Sequence, residues 1–215
     1  MHHTTSEPAP ATKGITIHWA HQYDLAVKIL LLGKDRSIRQ KMLNLAHLQP
    51  GDNVLDVGCG TGDLTLLAKS AAGPGGTVRG IDAAPEMIAV ARQKATQSGL
   101  LVDFQVGLIE KLAFPDNTFD VVLSSLMMHH LPEETKRQGL VEILRVLKPG
   151  GRLLVVDFKR PTSRLERLVQ PLFFHHGMLI GVQDLPPLME TAGFERVETG
   201  NVGFLMLGFA RAYKP

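Results

Sequence analysis

The stretch LDVGCGTGD at residues 55–63 has the residue types and spacing of a ligand-binding turn. A short apolar run breaks into three alternating glycines, a pattern that commonly cradles phosphates after a strand: Gly58, Gly60 and Gly62. The dinucleotide fingerprint requires glycine at position 63, where this chain has Asp63, and no Gly-Lys-Ser/Thr follows as in a P-loop. Asp56, two residues before the first glycine, disfavours a pyrophosphate and favours an ammonium group. The turn therefore predicts a ligand with a cationic end and no phosphate.

A second acidic residue ends the next predicted strand. Asp82 closes the run VRGID, and an acid about twenty positions beyond a glycine turn commonly holds ribose hydroxyls. A ribose without a phosphate, together with an amino-acid ammonium group, describes S-adenosylmethionine.

Two adjacent histidines follow the fourth predicted strand and are candidates for acid–base catalysis, His129 and His130. A base helps a group transfer only if the nucleophile must lose a proton, and it then supplies ~10²–10⁴-fold. The alternative is that one of them caps the following loop or packs, since only one can easily face a cleft. No third ligand is suitably spaced for a metal site. The single cysteine, Cys59, has no nearby basic partner and is interpreted as a small packed residue rather than a nucleophile.

Alternating strand and helix patterns must position these residues. Five apolar, β-rich runs predict strands, at 53–57, 78–82, 102–106, 119–125 and 152–158. The helical patterns LTLLAKSAA, PEMIAVARQKA and EETKRQGLVEILRVL separate them. This repeat predicts an α/β fold, a doubly wound parallel sheet with helices on both faces. Runs at 194–200 and 204–213 have no helix between them, so they predict a closing antiparallel pair and a mixed sheet.

Composition fits one globular domain. The chain has 215 residues, of which 44% are hydrophobic and 20% charged, so it is long enough to bury a core. A net charge of +2 without a Lys/Arg block gives no indication of nucleic-acid binding. One cysteine cannot form an internal disulfide, and the polar, Pro-rich start at 1–14 has no apolar signal core. We therefore expect a flexible tail followed by one cytoplasmic domain at 15–215.

Four ordered motifs carry a resemblance to a known family. LDVGCGTG, GIDAAPEMIAVARQKA, EKLAFPDNTFDVVLSSLMMHHLP and ILRVLKPGGRLLVVDF resemble class I S-adenosylmethionine-dependent methyltransferases. The similarity is greatest to the group that includes the ubiquinone/menaquinone-biosynthesis C-methyltransferases, and it covers about residues 50–158. The resemblance implies a seven-stranded, mostly parallel Rossmann-like sheet whose last strand is antiparallel. It also implies methyl transfer from S-adenosylmethionine, with S-adenosylhomocysteine as the product.

The resemblance implies a role for each matching residue. The glycine turn, including Cys59, approaches the methionyl and ribose part of the cofactor, and Asp56 lies beneath the ammonium group. Asp82 takes the ribose hydroxyls, Ala83 and Met87 pack against the adenine, and Ser124 lines the methionyl side.

The chain departs from the family pattern after the third strand. Many relatives carry Gly-Asp there, and the acid reaches the adenine amino group, whereas this chain has Gly107-Leu108. Glu110, the nearest acid, is two positions out of register. We therefore expect the adenine to be held by apolar contact and backbone at Leu108 and Ile109.

Two segments outside the sheet are predicted to form the acceptor chamber. The first is an N-terminal helical cap at 15–49, in which Tyr23 is expected to close on the methionyl group and His18 to meet the acceptor. The second is the insertion at 159–192, before closing strands at 193–215. Its apolar part supplies three residues for a lipophilic or aromatic acceptor, Phe173, Phe174 and His175, unless these simply complete the core.

The same insertion bears on membrane contact. Its apolar stretch is too short and broken to span a bilayer, which needs ~20 apolar residues. Its basic flank allows transient contact with an anionic surface, through Arg160, Arg164 and Arg167.

Two other functional classes stay open from sequence. A noncatalytic S-adenosylmethionine-binding protein would keep the glycines without turnover, and a nucleotide-dependent oxidoreductase would bind NAD instead. The atom methylated, whether carbon, oxygen or nitrogen, is not fixed by the sequence.

Overall fold

A computed structural model describes Gly14 and residues 20–160, 181–204 and 206–215. In the first helix, the side chains of His21, Tyr23, Ala26 and Leu30 lie outside that description. The described chain forms one seven-stranded sheet flanked by helices.

The seven strands are β1 Asn53–Val57, β2 Thr77–Asp82, β3 Asp103–Val106, β4 Phe119–Ser125, β5 Leu147–Phe158, β6 Glu195–Phe204 and β7 Leu207–Tyr213. The first four strands lie within one residue of the predicted runs, whereas β5 begins five residues earlier than predicted, β6 ends four residues later and β7 begins three residues later. The spatial order is β3-β2-β1-β4-β5-β7-β6. Strands β1 to β5 pair in parallel, and β7 pairs antiparallel with both β5 and β6. The last strand alone therefore runs against the other six, which confirms the predicted fold class.

Six α-helices accompany these strands in the described chain. They are α1 Ala20–Leu30, α2 Asp35–Leu45, α3 Asp63–Ala72, α4 Pro85–Ser98, α5 Glu133–Val146 and α6 Leu185–Ala192, with short 3-10 turns at Met128–His130 and Val182–Asp184. Local signals explain their ends. Pro85 occupies the first turn of α4, and Gly99 ends that helix with a left-handed φ of 64°.

The two faces of the sheet bury separate hydrophobic cores. One core packs α5 and α6 against the sheet, with Phe119, Leu140 and Ile143 fully buried. The other packs α1, α2 and α3 on the opposite face, with Met42, Val54 and Ala68 at its centre. Burial on both faces explains why the central strands read as continuous apolar runs.

The first helix presents part of its apolar surface to solvent. Leu25 and Ile29, one turn apart, are 62% and 65% exposed, and Leu32 just beyond the helix is 70% exposed. Within the described residues, no helix is long and apolar enough to cross a bilayer.

Candidate active site

A cleft of about 690 Å³, counting the part that opens to solvent, lies at the carboxyl ends of the central parallel strands. This position beside β1 and β4 is where the strand order reverses, and open α/β sheets bind ligands there. Its lining includes most of the predicted cofactor residues: Gly58, Gly60, Asp82, Ala83, Met87, Leu108 and Ile109.

The glycine turn and Asp82 form one hydrogen-bonded unit. Gly58 and Gly60 have left-handed φ values of 74° and 53°, which favour glycine. One carboxylate oxygen of Asp82 accepts from the Gly60 N–H at 2.9 Å, and the other accepts from the Ala84 N–H at 2.9 Å. Burial raises the pKa of Asp82, and these backbone hydrogen bonds oppose the shift. The carboxylate is therefore fixed at the cleft wall, where it also holds the turn.

The third glycine has a different place. Gly62 precedes α3 with a φ of 84°, and it does not line the cleft. A Cβ there would lie 2.7 Å from the Phe104 ring and 3.0 Å from the Ala91 methyl group. Gly62 thus allows α3 to pack closely on its neighbours.

Asp56 lies on a second cavity, on the other side of the glycine turn. This cavity holds about 470 Å³ with its open part, and Gly58 and Leu126 border both spaces. Asp56 is 1% exposed, and its Oδ2 accepts from the Thr65 hydroxyl at 2.6 Å. Its Oδ1 has no hydrogen-bond partner within the described part of the chain. Burial raises the pKa of Asp56 to about 7, against the lowering effect of Thr65.

Two other predicted residues lie near this second cavity. Cys59 borders it, and the thiol donates weakly to the Gly60 carbonyl at 3.7 Å. Burial raises the pKa of Cys59 well above its ordinary value, with further contributions from Asp56 and Asp82. Ser125 lines the cavity, whereas Ser124 lies within the sheet and lines neither space, because successive strand residues face opposite sides.

The wall that follows β3 is largely apolar. Gly107, Leu108 and Ile109 line the cleft together with Met87, and Glu110 lines it as well. Ile109 is 5% exposed and packs into the main core. This wall offers backbone groups and apolar surface to a ligand.

The two histidines point to different spaces. His130 lines the cleft, and its Nδ1 is buried without a partner among the described residues. Burial lowers the pKa of His130 to about 4, and the neighbouring His129 adds to the lowering. His129 lines a small separate cavity and bonds to Asp157 through Nδ1 at 2.6 Å. Only one of the pair therefore faces the cleft.

Met127 is a cleft residue that no pattern in the sequence indicates. Its side chain lies so close to Gly58 that a Cβ on that glycine would be 2.3 Å from the Met127 Cγ. Position alone suggests that the residues after β4 border the cleft, but this contact depends on tertiary packing.

Charged groups attach the first helix to the glycine turn. Lys94 of α4 lies 2.6 Å from Asp24 of α1 and 2.6 Å from Asp63 at the start of α3. The Thr61 hydroxyl, in the glycine turn, donates to Asp24 at 2.5 Å. We call these four residues the cap clamp. They hold α1 beside the second cavity.

The remaining predicted residues lie outside the described part of the chain. These are His18, Arg164, Arg167, Phe173, Phe174, His175 and the side chain of Tyr23. Among the described residues, no group of three or more His, Cys, Asp or Glu side chains could hold a metal ion.

Comparison with known proteins identifies the family. Residues 54–151 match the family model described as a methyltransferase domain. The chain is 38% identical to a demethylmenaquinone methyltransferase of Symbiobacterium thermophilum, over 69% of this chain and 59% of that protein. It is 34% identical to a ubiquinone/menaquinone biosynthesis C-methyltransferase of Ectopseudomonas mendocina, over 91% of this chain and 86% of that protein. The chain belongs to the class I S-adenosylmethionine-dependent methyltransferases, in the group of these quinone-biosynthesis enzymes.

A solved structure agrees with this methyltransferase assignment. A SAM-dependent methyltransferase from Aquifex aeolicus superposes with a TM-score of 0.73 at 25% identity, covering 89% of this chain and 98% of that one. S-adenosylmethionine is accordingly the cofactor, and the comparisons do not favour the noncatalytic or oxidoreductase alternatives. The chain spans only 59% of the length of the Symbiobacterium thermophilum enzyme.

The residues of this methyltransferase fit the cofactor chemically. Among the described residues, the buried Asp56 Oδ1 has no hydrogen-bond partner, which suits an ammonium group, and the Asp82 carboxylate suits ribose hydroxyls. The apolar surface of Met87, Leu108 and Ile109 suits a flat purine.

Proposed function

We propose that the chain transfers the methyl group of S-adenosylmethionine to a hydroquinone-type aromatic acceptor. The observation that carries this proposal is the His130 ring, set among Leu126, Met127 and Leu131 in the same cleft that Asp82 and the glycine turn line. An apolar wall with one polar group suits a flat ring that bears a hydroxyl. The names of the quinone-biosynthesis relatives support the same class of acceptor.

The cofactor would be held by residues of both spaces. Asp82 would accept from the ribose hydroxyls while it keeps the Gly60 N–H in place. Met87, Leu108 and Ile109 would contact the adenine, and Asp56 would meet the ammonium group, directly or through water. Bound there, S-adenosylmethionine supplies a methyl group already activated by the positive charge of its sulfonium.

The protein contributes mainly by positioning the acceptor. Correct orientation of two reactants can supply ~7–11 kcal/mol. His130 is neutral at pH 7 because burial lowers its pKa to about 4, so Nε2 can accept a hydrogen bond from an acceptor hydroxyl. A base of that strength does not remove a phenolic proton fully. The hydrogen bond instead polarises the O–H bond and fixes the ring, while Leu126, Met127 and Leu131 exclude water.

An acceptor screen tests this function. Purified protein is incubated with S-adenosylmethionine and a short-chain prenylated hydroquinone, a catechol or a primary amine, and S-adenosylhomocysteine is measured by mass spectrometry. We expect turnover with the hydroquinone, and fragmentation of the product locates the methyl group on carbon or oxygen. Turnover confined to the amine, or none with any hydroquinone, would overturn the proposal.

A lipophilic acceptor also implies contact with a bilayer, and the exposed apolar residues of the first helix fit such a surface. Leu25, Ile29 and Leu32 stand beside the exposed basic residues Lys28 and Lys34, an arrangement suited to anionic headgroups. Co-sedimentation should be stronger with vesicles containing phosphatidylglycerol than with pure phosphatidylcholine, and Ile29→Ser should weaken it. Equal sedimentation of the variant and the wild type would exclude this surface.

A further inference from the structure

Asp157, at the end of β5, holds the turn that follows β4. It is 2% exposed, and it accepts from the backbone N–H of His129 at 3.0 Å and of Phe158 at 2.7 Å. The His129 Nδ1 lies 2.6 Å from Oδ1, the oxygen that also accepts from the Phe158 N–H, and because a carboxylate accepts, we assign the hydrogen to Nδ1. One buried carboxylate therefore fixes both the backbone and the ring of His129.

This arrangement determines where the next residue points. The 3-10 turn Met128–His130 has Met128 buried in the core on one side and the His129 ring packed edge-on against Phe158, with centroids 5.0 Å apart. The His130 ring contacts the His129 ring at a centroid distance of 3.9 Å and lines the cleft. Rotation of the turn would remove His130 from the cleft, and the bonds to Asp157 oppose that rotation.

The far side of His129 has no room for the acceptor. The cavity there holds about 170 Å³ and is lined by Lys136, Val182 and Leu185 as well as His129 and Asp157. This space is about a quarter of the volume of the cleft, measured in the same way. The charged groups acting on this space are Lys136 of α5, Glu133 at the start of α5 and Asp184 before α6. Burial lowers the pKa of Lys136, and the charge of Asp157 opposes the shift.

We propose that Asp157 and His129 are positioning residues for methyl transfer, which hold the turn Met128–His130 so that the His130 ring meets the acceptor. The inference rests on the proposed function, in which His130 touches the acceptor hydroxyl. The His129 ring faces away from the cleft, so His129 acts only by fixing the orientation of His130.

Three variants and one matched control test the inference. Asp157→Asn disturbs the bond to Nδ1, His129→Ala removes the donor, and His129→Asn keeps an amide N–H near the position of Nδ1. Asp120→Asn is the control, because Asp120 also accepts a backbone N–H, from Asn53 at 2.9 Å, but lies at the opposite end of the sheet in β4. The readouts are kcat, the KM for each substrate, the Kd for S-adenosylmethionine, and the His130 ring signals in NMR, assigned with His130→Gln.

A displaced His130 should lower kcat without weakening the cofactor. We expect Asp157→Asn and His129→Ala to lower kcat by about 10²-fold, the size of effect that a misplacement of about 1 Å can have. Cofactor affinity should stay within about twofold of wild type, and His129→Asn should restore most of the lost kcat. The His130 signals should move in Asp157→Asn and His129→Ala but keep their wild-type positions in His129→Asn and Asp120→Asn.

Two results would overturn the inference. In the first, Asp157→Asn matches Asp120→Asn in kcat and in the His130 signals. In the second, His129→Asn is as inactive as His129→Ala while the His130 signals are unchanged, which would mean that His129 itself acts on the acceptor. If wild type turns over no hydroquinone, the proposed function fails, and the NMR signals alone then decide whether Asp157 and His129 position the His130 ring.

Discussion

Asp82 combines a ligand-binding role with a structural role. Its carboxylate stands at the cleft wall, yet both oxygens already accept backbone N–H groups from Gly60 and Ala84. The same side chain is therefore expected to bind ribose and to keep the glycine turn in its left-handed conformation.

Asp82→Ala should weaken S-adenosylmethionine binding strongly. Hydrogen bonds to a charged group are worth ~1.5–3 kcal/mol each, so the loss of one corresponds to about 10- to 100-fold in Kd. Calorimetry measures the affinity, and thermal melting checks that the variant is folded. A folded variant with wild-type affinity would contradict the assignment of Asp82 to the cofactor.

The Asp56 carboxylate should make the free protein less stable as pH rises. Its folded pKa of about 7 lies above the ordinary 3.8, so the folded state binds more protons than the unfolded state between these values. The associated stability is fully present below about pH 4 and is lost as pH rises through about 7, a change of about 4 kcal/mol.

Asp56→Asn should flatten this dependence. In urea unfolding from pH 5 to pH 8, the free energy of unfolding of wild type should fall as pH rises. That of the variant should lack this fall, because the amide does not ionise. Asp120→Asn serves as the comparison, since the pKa of Asp120 is lowered and its substitution should not remove this fall. Parallel pH curves for wild type and Asp56→Asn would rule out a raised pKa.

The lowered pKa of His130 predicts an unusual pH–rate profile. With a folded pKa of about 4, the ring stays neutral as pH falls from 8 to 5, and activity that depends on it should fall only as pH passes through about 4. Comparison of the pH–rate profiles of wild type and His130→Gln shows whether the fall in activity at low pH is due to His130. An ionisation near 6.5 that disappears in His130→Gln would show that burial does not lower its pKa in the working enzyme.

At the level of residues, local patterns predicted groups whose role depends on backbone position. Gly58 and Gly60 lie in the turn after β1, and Asp82 ends β2, so the order of strand and turn is enough to place them. The contact of Met127 with Gly58 and the bond of His129 to Asp157 join residues distant in sequence. The periodicity of apolar residues does not predict such contacts. Because β4 and β5 are parallel, however, their last residues lie at the same edge of the sheet.

At the level of elements, the cap clamp of Asp24, Thr61, Asp63 and Lys94 joins the first helix to the glycine turn. Lys94→Met removes both ion pairs of the lysine, and each partly exposed pair is worth only ~0–1 kcal/mol. We expect global stability to change little, while S-adenosylmethionine dissociates about five- to tenfold faster in stopped-flow measurements.

A matched variant separates the clamp from a general loss of charge. Arg137→Met breaks the exposed ion pair between Arg137 and Glu133 within α5. It should leave the dissociation rate unchanged. Equal acceleration in both variants would mean that α1 does not retain the cofactor.

Elements with strong local signals were predictable to within a few residues. β1 and β4 have the predicted bounds, and α4 begins at the predicted Pro85. β5 begins at Leu147, five residues before the predicted run at 152–158, and thus includes the segment Lys148–Gly151. Such ends depend on pairing with a neighbouring strand, here of Phe119 with Leu147, which sequence alone does not reveal.

For the whole molecule, strand order explains why the site lies where it does. β1 leads to β2 and β3 on one side and has β4 and β5 on the other, so the loops after β1 and β4 diverge. The glycine turn and the His129–His130 turn stand on either side of that opening. Fold and cleft position follow from the alternation of strands and helices, whereas the division into two spaces about Gly58 required the packed side chains.

Cys59, the one cysteine of the chain, can report on movements of the glycine turn. Cys59 is 9% exposed, and its pKa is raised, so a thiol reagent should modify it only when the turn opens. Because no other cysteine competes, the labelling rate of native protein measures the frequency of that opening. S-adenosylmethionine at 100 times its Kd should slow labelling by about 100-fold if it binds only the closed turn. Labelling that is fast in the native protein, or indifferent to S-adenosylmethionine, would mean that the turn does not close over the thiol.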